Sequence, residues 1–204
     1  MRFGIDFGTT RTVIAAVDRG NYPVVNVVDT DGDPREYIPS VVALDGDRLV
    51  GGWEALAVDN PTVTRSFKRL LSSGSVTADT PVPMGSRERL LGDVLATFAD
   101  GVVRHLRAHA GGEPIEIVLG VPANARSAQR LLTLDAFRRA GADVLGMVNE
   151  PSAAAFEYTH RHARTLTARR SSVIVYDLGG GTFDVTLMRI DGTEHVVETS
   201  LGIS

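Results

Sequence analysis

The sequence predicts an α/β protein built on a mixed sheet. Two features predict it. Apolar runs rich in Val and Ile alternate with helical apolar patterns through the middle of the chain. The two ends also repeat one unit: apolar strand, Asp, glycine turn, apolar strand, turn, strand. With 204 residues and 43% apolar content, the chain has length for a substantial core.

Phe3–Phe7, Arg11–Val17 and Val24–Val28 read as strands. Thr30–Pro39 is a turn cluster. Asp29, Asp31 and Asp33 imitate a calcium loop there, but Gly32 and Pro34 stand in the wrong places and position twelve is Ser40, not Glu. A solvated turn is expected instead. Ser40–Gly52 reads as a hairpin around Asp45-Gly46, a pair that accepts positive φ. Trp53–Val58 and Ser66–Leu71 are short helical pieces, and Ser72–Gly85 is loop-like. Ser86–Ala110 is the longest helical pattern, with Leu90, Leu91, Val94, Leu95, Phe98, Val102 and Leu106 at helical spacing. Ser86 offers its N-cap and Gly111-Gly112 ends it.

Alternation follows. Ile115–Val121 is a strand, Ser127–Ala140 a helix stopped by Gly141, and Val144–Val148 a strand. Pro151–His162 is a helix with Pro at its first position, where a missing N–H does no harm. A basic connector, "RHARTLTARRS", is expected to be a solvated helix end. Val173–Leu178, Thr182–Ile190 and Glu194–Thr199 are strands again.

Composition narrows the function. The formal charge of −4 gives no bulk pull toward nucleic acid. Without cysteine there is no disulfide, thiolate zinc site or cysteine nucleophile. No apolar run reaches the ~20 residues of a membrane span, and no secretory signal pattern is seen, so a cytoplasmic location is expected. The five histidines assemble into no hydrolase triad. Of 21 basic residues only Lys68 is a lysine.

The repeat carries the chemistry. Ile5–Gly8 aligns with Tyr176–Gly179, and Thr9-Thr10 aligns with Gly180-Gly181-Thr182, a turn that reads as one residue longer. Glycines let backbone N–H groups converge on an anion, and the Thr hydroxyls add donors. An Asp at the strand end repels phosphate unless a divalent cation such as magnesium lies between them. Two such turns facing each other would clamp a polyphosphate. No Walker-type loop is present, and both turns lead into strands.

"GIDFGTT", "FKRLL", "GVPANARSAQR", "VNEPSAAA" and "YDLGGGTFDV" occur in the order and spacing of the seventy-kilodalton heat-shock chaperones of the DnaK type, and the chain resembles that family. The family belongs to the actin-like ATPases, of ribonuclease H-like fold. The resemblance implies a two-lobed domain that binds and hydrolyses ATP in a cleft, with magnesium and potassium ions. It implies that Gly8, Thr9 and Thr10 hold phosphate from the first lobe, and Gly179, Gly180, Gly181 and Thr182 from the second. Asp6 would hold the metal through water, with Asp177 and Asp184 near the ions and the attacking water. Glu150 would sense the nucleotide, and Pro122 and Arg130 would relay its state toward a peptide-binding domain. Lys68 falls on the family's catalytic lysine. A compact ammonium reaches a phosphate oxygen that a planar guanidinium would overfill.

Departures are few. Arg11 stands where the family more often has Asn or an aromatic residue, and "VPANA" lacks the usual aromatic. An Arg there adds a contact to the anion or perturbs the neighbouring ion site. The resemblance implies a first-lobe base from 1–36 and 113–170, an inserted subdomain from 37–112, and only the first three strands of a second lobe from 171–204. Those strands are expected to expose an edge and an apolar face, handled by self-association, by swapping, or by packing on the first lobe. Little turnover is expected of the chain in isolation. Nucleotide, co-chaperones and client polypeptides are the implied partners, with neither nucleic acid nor membrane. Two other readings stay open on the residues: an actin-like filament module, revealed by ATP-dependent polymer, and a sugar-kinase-like enzyme, revealed by phosphorylation of glycerol or sugars.

Overall fold

The structure, a computed structural model, describes residues 1–59, 62–161, 172–179, 183–191 and 194–203. The chain opens with strands β1 (Arg2–Phe7) and β2 (Arg11–Ala16). Three short strands follow, β3 (Val27–Val28), β4 (Pro34–Arg35) and β5 (Ile38–Pro39). Next come β6 (Val41–Asp45), β7 (Arg48–Gly51), helix α1 (Trp53–Ala57), β8 (Thr62–Arg65) and a 3-10 turn, Phe67–Ser72. The hairpin β9 (Pro81–Met84) and β10 (Arg87–Leu90) leads into α2 (Leu91–Ala110). Then β11 (Glu116–Val121), α3 (Ser127–Arg139), β12 (Asp143–Asn149) and α4 (Glu150–Arg161) alternate. The chain closes on β13 (Ser172–Leu178), β14 (Phe183–Asp191) and β15 (Glu194–Ile203).

The main sheet runs β12-β11-β1-β2-β5. β1 is parallel to β11, and β11 to β12, while β2 runs antiparallel to both its neighbours, β1 and β5. It is the mixed sheet the sequence predicts. Side chains alternate along β1. Phe3, Ile5 and Phe7 are buried, and Gly4 and Asp6 face the other way. The buried side forms one core with α2 and α3, where the Phe7 ring meets Phe67, Phe98 and Phe137 at 5.5–6.2 Å. The second sheet is β13-β14-β15, antiparallel throughout. Among the described residues no helix is long and apolar enough to cross a membrane.

Several local expectations are corrected. Val24–Val28 is no continuous strand: Val24 makes a single bridge to Ala15, and only Val27–Val28 forms a ladder, paired with Pro34–Arg35. Ser86 does not cap the long helix. Arg87–Leu90 pairs with Pro81–Met84 instead, so part of the expected loop is a hairpin and the helix begins at Leu91. Leu90, counted in the helical stripe, is 44% exposed. Alternation over residues 81–90 is short, and the 3.6 period of the following stripe masks it. Asp29 is no solvated acid. Its side chain accepts the Asp31 and Asp33 N–H groups and Arg35 Nε at 2.7 Å. The Arg35 hydrogen bond, foremost, holds that carboxyl below its ordinary range. Ile38–Pro39, read with the inserted segment, is the edge strand of the main sheet. The connector lies largely outside the described residues, from His162 onward.

Register also revises the repeat. In the first hairpin the last paired residues are Phe7 and Thr12, and in the second Leu178 and Phe183. Four positions separate them in each, 8–11 and 179–182, so the two turns are equal in length. Asp6 pairs with Val13, and Asp177 with Asp184, so the second hairpin adds an acid where the first has Val13.

Candidate functional site

The two hairpins open on one cleft of about 870 Å³. The first contributes Asp6, Gly8, Thr9, Thr10 and Arg11, and the second Asp177, Leu178, Gly179 and Asp184. Lys68, Pro122, Asn124, Gln129 and Glu150 line it from other elements. Thus residues far apart in sequence meet here, including Asp6, Lys68, Glu150, Asp177 and Asp184. Gly180, Gly181 and Thr182 lie outside the described residues.

The first turn is built tightly. A Cβ on Gly8 would collide with the carbonyl oxygen of Arg11, so no larger residue fits there. Ser40 pins the turn from the adjoining segment. Its hydroxyl donates to the Gly8 carbonyl at 2.8 Å and lies 3.1 Å from Thr12 Oγ1, and its N–H donates to the Thr10 carbonyl. Sequence reasoning met Ser40 as the wrong residue of a calcium loop and as the start of a hairpin, never as part of the first turn. No local signal could reveal its role, because it acts across 32 residues.

Lys68 comes from the 3-10 turn and is 7% exposed. Its ammonium donates to the Phe7 carbonyl and to Glu150 Oε1 at 3.3 Å, and lies 5.1 Å from the Phe7 ring centroid. The carboxylates around it are crowded. Burial, foremost, pushes the Glu150 carboxyl up; Lys68 opposes this, while Asp6 and Asp177 add to it. Burial first raises Asp6 as well, against Lys68 and with Asp177. Asp6 keeps water access along the cleft, yet protein atoms surround it on most sides. Asp184 is raised by burial and then by Asp177, with Lys68 opposing.

So one ammonium faces four acids. Among the described residues no three acidic or imidazole groups converge closely enough to grip an ion directly. The donor set, hard carboxylate oxygens spread around a polar cleft, suits a small divalent cation that keeps its waters. Such an ion would offset the mutual repulsion of the acids.

Arg130 of α3 donates to the Ala125 carbonyl and, at 2.8 Å, to Asn149 Oδ1. Asn149 ends β12 directly before Glu150, which opens α4. Pro122 lies at the cleft beside this path. Asn149 stands in the "VNEPSAAA" motif, but sequence reasoning gave it no role of its own. The second sheet packs one face on α4. A Cβ on Gly202 of β15 would collide with Asp184 and come 3.3 Å from Asn124 Nδ2. The opposite face carries Ile174, Tyr176, Leu178 and Leu201, which are 53%, 67%, 81% and 71% exposed.

Known proteins share this sequence pattern. The profile of the family described as "Hsp70 protein" matches residues 87–202. The chaperone protein HscA of Proteus mirabilis (strain HI4320) is 33% identical over 211 residues, covering 92% of this chain and 32% of that protein. A chaperone protein HscA homolog of Histophilus somni (strain 129Pt) is 37% identical over 220 residues, covering 96% and 34%. The chaperone protein DnaK of Elusimicrobium minutum (strain Pei191) is 36% identical over 205 residues, covering 97% and 31%. The chain spans about a third of the length of these relatives. With relatives a third identical along nearly all of its length, and a family match over more than half of it, the chain belongs to the Hsp70 family.

Proposed function

We propose that the cleft binds magnesium ATP and ADP, and that the chain is the nucleotide-binding part of a divergent heat-shock-type chaperone that hydrolyses ATP to ADP and phosphate. One observation carries the reading: two hairpins of the same design, each with an Asp before its glycine turn, open on a single polar cleft that also holds the buried Lys68–Glu150 pair. Convergent turn N–H groups and hydroxyls suit phosphate oxygens. Asp6, Asp177 and Asp184 would hold magnesium through its waters, with potassium beside them, and the ions would supply charge neutralisation on the phosphates. The chain's own residues do the rest. Gly8, Thr9 and Thr10 bind phosphate from one side, and Gly179 through Thr182 from the other. Lys68 balances charge that builds up at the transferred phosphoryl group. Loss of such a stabiliser costs on the order of 10²-fold in rate. Glu150, held by Lys68, links that charge to Asn149, Arg130 and Pro122, and so outward to a peptide-binding domain, co-chaperones and clients in the longer protein.

Turnover needs water excluded from both sides of the phosphates, so this chain alone hydrolyses slowly. Its division into a base, residues 1–36 and 113–170, an inserted unit, 37–112, and a partial second lobe, 171–204, belongs to the same reading, with Ile38–Pro39 assigned to the base sheet. The exposed apolar face of the second sheet suits self-association, which light scattering would register as a dimer. The decisive experiment is calorimetric titration with magnesium ATP. Saturable binding is expected for the chain, abolished by Asp6→Asn. A folded chain that binds neither ATP nor ADP would refute the reading.

A further inference from the structure

Arg11 opens β2 immediately after the first turn. Strand register gives it an unexpected counterpart. With Phe7↔Thr12 laid on Leu178↔Phe183, position 11 falls on position 182. The first hairpin therefore carries a guanidinium where the second carries the hydroxyl of a threonine.

The period of two fixes which way Arg11 faces. Val13 pairs with Asp6 and Ala15 with Gly4, so these four share one face of the sheet, and Arg11 continues that row toward the cleft. It lines the cleft with Thr9, Thr10 and Lys68. Its guanidinium lies 4.6 Å from the centroid of the Tyr37 ring. Among the described residues no carboxylate pairs with it. Its five N–H donors therefore have a stacking surface behind them and no anion in front.

Tyr37 is itself held. The Trp53 indole N–H donates to the Tyr37 carbonyl at 3.1 Å, and the two rings lie 5.3 Å apart at 48°. Two residues on, Pro39 pairs with Arg11 across the sheet edge. One further residue on, Ser40 pins the Gly8 and Thr10 carbonyls. Turn, arginine and ring thus form one unit.

We propose that Arg11 is a phosphate ligand of this cleft, with Tyr37 as the positioning residue that stacks behind its guanidinium. The proposal rests on the reading of the cleft as a polyphosphate site and adds a contact that the second hairpin does not have. A planar fork suits two phosphate oxygens at once. Its charge favours the nucleotide with the more negative tail, so ATP gains more than ADP.

The test is calorimetry with magnesium ATP and magnesium ADP on the 204-residue chain and on Arg11→Gln, Arg11→Lys, Tyr37→Phe and Tyr37→Leu. Arg11→Gln is expected to weaken ATP binding about tenfold, ADP less, and to make ATP binding less sensitive to salt. Arg11→Lys recovers only part, because an ammonium neither stacks nor forks. Tyr37→Phe keeps wild-type affinity, and Tyr37→Leu loses roughly threefold. Trp53, the single tryptophan, should change its emission when wild type is saturated with ATP, and not in Arg11→Gln. If wild type binds ATP and Arg11→Gln matches it within about twofold, the proposal is overturned and the site reading stands. If folded wild type binds neither nucleotide, both are overturned.

Discussion

Lys68→Met tests the electrostatics of the cleft without any ligand. The ammonium sits 3.3 Å from Glu150 Oε1, with side-chain exposures of 8% and 20%. At an effective dielectric constant of about 20, that separation corresponds to about 5 kcal/mol of attraction. Both partners keep some contact with water, so the net cost of removing one is smaller. Breaking a buried pair costs about 3–5 kcal/mol, and the lower end, about 3 kcal/mol, applies here. For a chain of this size that is roughly a 6–12 °C drop in melting temperature. The loss depends on pH. Lys68 holds down the Glu150 and Asp6 carboxyls against their burial. Without it both rise further in the folded state than in the unfolded one. The folded state then holds more protons, so its stability falls as pH rises from the ordinary carboxylate range through the raised values. Urea denaturation followed by circular dichroism should show Lys68→Met closest to wild type at the acid end and farthest at pH 8. Adding Glu150→Gln to Lys68→Met should restore most of the loss at pH 8. A cost below about 1 kcal/mol at pH 8, against the 3 expected of a broken buried pair, would refute the reasoning. So would a cost independent of pH, or a double mutant no more stable than the single.

The first turn supplies two more predictions. Gly8→Ala forces a methyl against the Arg11 carbonyl, so the turn opens, with about 1–3 kcal/mol lost in stability and ATP affinity reduced at least tenfold by calorimetry. Ser40→Ala leaves the buried Thr12 hydroxyl and the Gly8 carbonyl without their partner. It should cost about 1–3 kcal/mol in thermal melting and weaken ATP binding, although Ser40 itself is not among the residues lining the cleft.

The sequence by itself determined the fold class, the repeated Asp–glycine hairpins and most of the residues that gather at the cleft. It could do so because strand alternation, turn glycines and lone charges are local signals, legible within a few residues. Asp6, Lys68, Glu150, Asp177 and Asp184 could each be picked out by residue type and motif. Their meeting could not. That required β11 to lie between β1 and β12, which brings Glu150, just past the end of β12, to the end of β1, and required the Phe67–Ser72 turn to drop Lys68 onto the Phe7 carbonyl. Tertiary structure also decided what looked like trivial sequence. Ser40 and Tyr37 carry no motif, and Asn149 stands in one without a visible role, because each acts on a partner distant in the chain. The two hairpin turns read as unequal when aligned by letters and proved equal when aligned by register. Backbone pairing counts residues between fixed hydrogen-bonded positions, and an alignment of letters cannot see those positions.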